Sequence, residues 1–316
     1  MRRTNHPRST RGGFTLVELL VVITIISILL ALISSAVLNA FNRGTDVQAR
    51  NDVSQLAAAM QAFQTQLSAK YVPDRLILPP GYDTTGATAQ FLKSVWPRLD
   101  ARTLGTGTTQ FTMGTGAAQR TVTVFDYWQV QGNQAQTLQG DQVLVWALGG
   151  WRSADSVFGF STDPTDPMKP YTAGQQRTGP FYDGFTTERL VIFPGNTSTP
   201  RAAGFPSFVD VYGKVPYMYF SSNKAGNDYT TVPHNVPSVD ASGQIVIRQM
   251  LPFQLSKSAT NVPVKYAQAN GFQIICAGRD NQFGAGGDGW SGVANAILSA
   301  GVKDDIANFH AGRLGD

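Results

Sequence analysis

One cysteine and three histidines are all the thiol and imidazole side chains this 316-residue chain contains. Cys276 stands alone, which excludes an intramolecular disulfide and a thiolate zinc cage. His6, His234 and His310 are scattered, a poor fit to a histidine-rich metal site or a hydrolytic triad. Charge is scarce as well, at 15% of residues, and unevenly placed. Residues 1–13 hold Arg2, Arg3, Arg8 and Arg11 and no acid; without them the 25 basic residues become 21, equal to the 21 acidic ones. The formal net charge of +4 is therefore a property of the N-terminus, and no broad basic face is left for nucleic acid. "GTGTTQ" (105–110) lacks the third glycine of a dinucleotide fingerprint, and "STDPTDP" (161–167) is turn chemistry. No active site is assigned, and the chain is not expected to be an enzyme.

What the chain does have is one long apolar run. Phe14 to Leu38 spans about 25 residues, enough for a helix to cross a hydrocarbon core of ~30 Å. A secretory signal would end in a small-residue cleavage pattern after a shorter run. Here the small residues, Gly12 and Gly13, precede it. The arginines before the run place the N-terminus in the cytoplasm and everything after Leu38 outside it. A plain signal-anchor helix satisfies these features too. One letter sets the run apart: Glu18, a carboxylate whose burial at a bilayer centre costs roughly 2.5–3.5 kcal/mol.

"GGFTLVELLVV" resembles the N-terminal signal of type IV pilins and type II secretion pseudopilins, over about residues 8–40. The resemblance implies cleavage after Gly13 by a prepilin peptidase, which then N-methylates Phe14. It also implies assembly with other pilin or pseudopilin subunits on an inner-membrane platform. Glu18, four residues from the new terminal amine, would pair with the amine of a neighbouring subunit. Each charge is costly to bury alone and the pair attracts strongly at low dielectric. The alternative for Glu18 is an acid that reaches the interface near the start of the helix.

Val53, Leu56, Met60, Phe63 and Leu67 recur at spacings of 3 and 4, a helical stripe for packing on a globular domain. The expected order is a cleaved leader at 1–13, a membrane and assembly helix at 14–38, an amphipathic helix at 39–70 and a globular domain at 71–316. Gly44, followed by Thr45 and Asp46, is a candidate kink. Pro73, Pro79 and Pro80 end the helix. Strands are expected at 121–130, 142–148, 189–193, 207–212, 216–221, 243–251 and 271–277, and helices at 89–96 and 292–300. The fold class is α+β: a long N-terminal helix packed on a β-rich domain, pilin-like.

"GFQIICAGRDNQFGAGG" with "DDIANF" (304–309) resembles the C-terminal calcium loop of major pseudopilins. That resemblance implies a Ca²⁺ site with carboxylates from Asp280, Asp304 and Asp305 and carbonyls near Cys276 and Gly278, Asp288 being a spare. Calcium takes six to eight oxygens on a flexible loop, so the residue types suit it. An ordinary solvated Asp pair beside a Gly-rich turn reads the same letters. The function expected from both resemblances is a structural subunit of a type II secretion pseudopilus or related filament. The alternative is a major or minor type IV pilin whose large domain adheres to a surface or ligand. Either would be a single-pass inner-membrane protein, its C-terminal domain outside the cytoplasm until it enters a periplasmic or surface filament.

Overall fold

The computed structural model describes residues 15–78, 86–100, 111–113, 120–122, 136–153, 156–169, 171–195, 201–202, 204–223, 226–256, 264–290 and 301–315. The chain divides into two compact units, 1–47 and 48–316. An apolar N-terminal helix followed by a β-rich globular region gives the α+β, pilin-like architecture expected.

In the first unit, helix α1 (Leu16–Gln66) begins as a cylinder that is apolar apart from Glu18 and a few hydroxyls. Leu16–Ser34 has a mean hydropathy of 3.0 and no buried residue, long and apolar enough to cross a membrane. Its few hydroxyls turn inward on their own backbone. Thr24, Ser27 and Ser34 donate to the carbonyls four residues earlier, at 2.7, 2.7 and 2.6 Å. No hydroxyl in this set is left to cost free energy in an apolar surround. Gly44, Thr45 and Asp46 lie inside α1 as helix. One interior glycine costs about 1 kcal/mol relative to alanine, whereas a second helix would need its own unfavourable nucleus.

In the second unit, α1 buries the stripe Ala49, Val53, Leu56, Met60 and Phe63. The helix stops through a Schellman arrangement rather than at the prolines. Ser68 adopts φ +53°, its N–H bonds the Thr65 carbonyl, and Ala69 N–H bonds the Gln64 carbonyl at 2.8 Å. Phe63 meets Phe181, Phe160 and Trp146 at centroid distances of 5.2, 5.8 and 6.4 Å. Helix α2 (Ala87–Val95) contributes Phe91 and Leu92 to the same core, and matches the expected helix at 89–96.

Helix α3 (Gly140–Gly149) corrects a sequence expectation, since 142–148 reads as a strand. All ten of its residues are buried, so neither an alternating nor an amphipathic pattern survives to tell strand from helix. The distinguishing letters flank the run. Gln139 and Gln142 form a reciprocal capping box, and Gly150, at φ +65°, ends the helix. Gly140 is required by space: a Cβ there would sit 2.0 Å from the Tyr219 carbonyl oxygen.

The strands are short. Met218–Ser221, Phe272–Cys276 and Ile306–Ala307 form an antiparallel three-stranded sheet in that order. His234–Val239 and Ile245–Met250 form a hairpin, turned by Asp240, whose Oδ1 accepts from Ser242 and Gln244 N–H. Leu190–Val191 pairs Ser207–Phe208. Five expected strands thus have observed counterparts, mostly shorter than the apolar run that suggested them. Of 121–130 only residues 121 and 122 are described, and 292–300 lies outside the described residues. His234–Val239 was not expected, because Pro237 and the polar His234 and Asn235 break the β pattern.

Candidate assembly and metal sites

Gly13 and Phe14 lie outside the described residues. Glu18 occupies the first turn of α1 and is exposed. Its Oε2 accepts from the Thr15 N–H at 2.9 Å and the Thr15 hydroxyl at 2.8 Å, while Glu18 N–H donates to Thr15 Oγ1 at 3.2 Å. Thr15 and Glu18 therefore form a reciprocal capping box. This role for Thr15 was missed, although the signal was present: Thr-x-x-Glu just before an apolar run. The box holds the carboxylate at the N-terminal end of the helix, where the backbone dipole favours negative charge.

The second candidate site lies where the turn after strand Phe272–Cys276 meets the segment before Ile306–Ala307. Asp304 Oδ2 accepts the Arg279 N–H at 2.6 Å and the Asp280 N–H at 3.0 Å. Asp280 Oδ1 accepts the Gln282 N–H at 2.8 Å. Gly278, at φ +71°, makes this approach possible; a Cβ there would lie 2.3 Å from the Asp304 carbonyl oxygen. Desolvation, reinforced by Asp304, raises the Asp280 carboxyl to about 6.

Asp305 is wholly buried, and among the described residues neither carboxylate oxygen accepts a hydrogen bond of good geometry, although the Gly284 N–H acts to lower its carboxyl. Burial, then the neighbouring Asp304, pushes its carboxyl well above the usual range. The turn thus brings the three named acids together electrostatically. Among the described residues, no three His, Cys, Asp or Glu side chains converge closely enough to form a ready-made metal cage.

Two further polar groups lie deep in the second unit. Arg201 and Asp141, both without exposure, pair at 3.2 and 2.5 Å, with the Ser207 hydroxyl donating to Asp141 at 2.6 Å. His234 Nδ1 accepts the Gly140 N–H at 3.2 Å, and its Nε2 lies 3.3 Å from Asp74. His234 thereby satisfies one orphan N–H in the first turn of α3, and Arg201 compensates the charge of Asp141 in that turn. Both arrangements are buried.

A model of the prokaryotic N-terminal methylation motif matches residues 8–34. No curated protein and no solved structure gives a significant match. The motif indicates a type IV pilin-like protein processed by prepilin peptidase and assembled with other pilin subunits. The motif and the apolar helix together fit a membrane-anchored pilin.

Proposed function

We propose that this protein is a structural subunit of a type II secretion pseudopilus or a related pilin-like filament. Cleavage after Gly13 and N-methylation of Phe14 would release it from its cytoplasmic leader. The observation that carries the reading is a lone carboxylate, Glu18, in the capping box at the start of a helix whose next residues are exposed and apolar but for a few hydroxyls bonded to their own backbone. A helix of that kind has to be covered by lipid first and by other helices once it leaves the membrane. An acid at its start then sets the register in which a neighbour's terminal amine can dock.

Two measurements test this. Intact mass of the native protein should correspond to a chain beginning at N-methyl-Phe14; a mass retaining the leader sinks the reading. Glu18→Ala should still be cleaved and inserted yet be excluded from filaments, and assembly at wild-type level would remove the docking role. Pseudopilus and pilus differ in phenotype: deletion should stop export of folded proteins in the first case and surface attachment in the second.

We further propose that Asp280, Asp304 and Asp305 hold a calcium ion with backbone carbonyls of the turn. A fully buried carboxylate whose oxygens find no hydrogen-bond partner among the described residues is the feature a cation would satisfy. Bound calcium would offset the mutual repulsion of the acids and staple the 304–307 segment to the turn. Calcium at a hundredfold excess over its Kd should stabilise the fold by about 2.7 kcal/mol over chelator, with magnesium a poor substitute. Asp280→Ala with Asp305→Ala should abolish that shift; no shift in the wild type at millimolar calcium would return these residues to an ordinary turn.

A further inference from the structure

The hairpin of His234–Val239 and Ile245–Met250 has one closed strand and one open one. All six residues of the first are buried. In the second, Ile245, Arg248 and Gln249 are exposed and Val246 and Ile247 half-buried. Ile245 leaves 52% of its surface uncovered.

The register decides which backbone groups face outward. Bonded and non-bonded pairs alternate along an antiparallel ladder. At the turn, Asp240 N–H donates to the Gln244 carbonyl at 2.9 Å, and in step with it Ser238–Val246 and Val236–Arg248 are bonded pairs. Pro237, which has no N–H to give, falls opposite Ile247 in a non-bonded pair. Ile245, Ile247 and Gln249 therefore turn N–H and C=O away from the hairpin. Leu251, the next residue in that phase, does donate outward, to the Ala285 carbonyl at 3.0 Å. The edge is thus covered from Leu251 onward, while over 245–249 no described residue bonds it.

Edge strands are commonly blunted by proline, lysine or a bulge. This one reads Ile-Val-Ile-Arg-Gln in continuous register, with Arg248 its one charge. Arg248 acts electrostatically on Asp240 and Asp280 of its own chain, which offset that charge. Open backbone groups flanked by β-branched side chains are a template for another strand.

The symmetry of the edge selects that strand. Its outward-bonding residues are spaced evenly about Ile247. A second copy laid antiparallel across Ile247 meets them with its own: Ile247 against Ile247, and Ile245 against Gln249. Up to about six backbone hydrogen bonds close in this way. Each Arg248 then lies opposite Val246 of the other copy, its stem on an apolar side chain. The parallel in-register alternative sets Arg248 against Arg248, which is unfavourable. The methylation motif indicates assembly with other pilin subunits, which raises the local concentration of such chains.

We propose that strand Ile245–Met250 is a homotypic interface, pairing antiparallel about Ile247 with the same strand of a second copy. An isologous contact closes at two copies, so it joins subunits or filaments side by side rather than lengthening one. Every residue it uses lies in the 48–316 unit, so it stands apart from docking through Glu18.

The test adds one cysteine at a time to full-length protein in detergent micelles, with diamide as oxidant. Native Cys276 is buried and stays silent. Bonded antiparallel partners have Cα atoms about 5.5 Å apart, within reach of a disulfide. Ile247→Cys should therefore give a covalent dimer. Ile245→Cys and Gln249→Cys should not, each lying roughly 14 Å from its own copy. Combined in one chain, those two should restore the cross-link. Adding Ile247→Pro, which removes an outward N–H, should abolish it again at an unchanged melting temperature; Ile247→Lys replaces the proline if the hairpin is disturbed. Equal cross-linking of all single variants would indicate chance encounter in the micelle or parallel pairing, and overturns the proposal. Absence of a cross-link at residue 247 overturns it as well.

Discussion

Leu29 and Phe63 belong to the same helix, yet Leu29 is 52% exposed and Phe63 is not exposed at all. Around Leu29 every face of α1 is apolar, so no stripe points to a particular partner within the chain. Around Phe63 the apolar residues recur every three to four positions, and the rest of the circumference is polar or lines a cleft. The difference teaches what each half of the helix takes as solvent. A uniformly apolar surface is stable only in lipid or among similar helices, whereas a stripe is stable in water once a domain covers it.

The sharpest way to break this comparison is to truncate both residues. Phe63→Ala should cost about 3–5 kcal/mol in denaturant unfolding, through lost transfer energy and the cavity left among Trp146, Phe160 and Phe181. Leu29→Ala should leave the same transition unmoved within about 0.5 kcal/mol. Comparable losses would show that the two halves do not divide as described.

Next in size is the polar clamp on the packed half. Arg189 bonds Asp52 at 2.8 Å and stacks 4.2 Å from the Phe208 ring centre, while Tyr217 donates to the same Asp52 oxygen at 2.9 Å. Arg189→Ala leaves a nearly buried carboxylate with one partner fewer and should cost about 2 kcal/mol. Arg189→Lys keeps the charge but loses the planar stack, and should fall between.

A pH dependence should follow from Asp210, which is buried with its Oδ2 accepting from the Cys276 thiol at 3.4 Å. Desolvation raises its carboxyl from 3.8 to about 7, against weaker lowering by hydrogen bonds from Cys276, Gly213 and Tyr212. The unfolded chain gives up this proton first. The contribution is therefore fully present below pH 3.8, declines as pH rises, and is lost above about 7. Asp210→Asn should reduce the fall in stability over that window, to which Asp280 also contributes, when unfolding is measured at fixed ionic strength; an unchanged slope would assign the titration elsewhere.

The smallest effect concerns the exposed half alone. Thr15→Ala removes the hydroxyl from the capping box and should loosen the first turn of α1 by about 1 kcal/mol. Amide exchange at residues 17–19 in micelles reads this directly, and the unfolding of the 48–316 unit should not respond.

The leader charges, the apolar run, Glu18 and the packing stripe are legible in the residues alone. These are local patterns whose physics needs no knowledge of distant residues. Thr15 belonged to the same class and was legible as a capping box. The acids at 280, 304 and 305 were legible as a group, but only folding revealed that Asp305 is buried without a carboxylate partner among the described residues while Asp304 is bonded to the turn. The tertiary structure alone decided α3, because a segment buried on every side carries no periodicity. It alone decided the His234–Val239 strand, whose histidine is tolerated inside because Gly140, some ninety residues earlier in the chain, donates to one ring nitrogen and Asp74 lies 3.3 Å from the other.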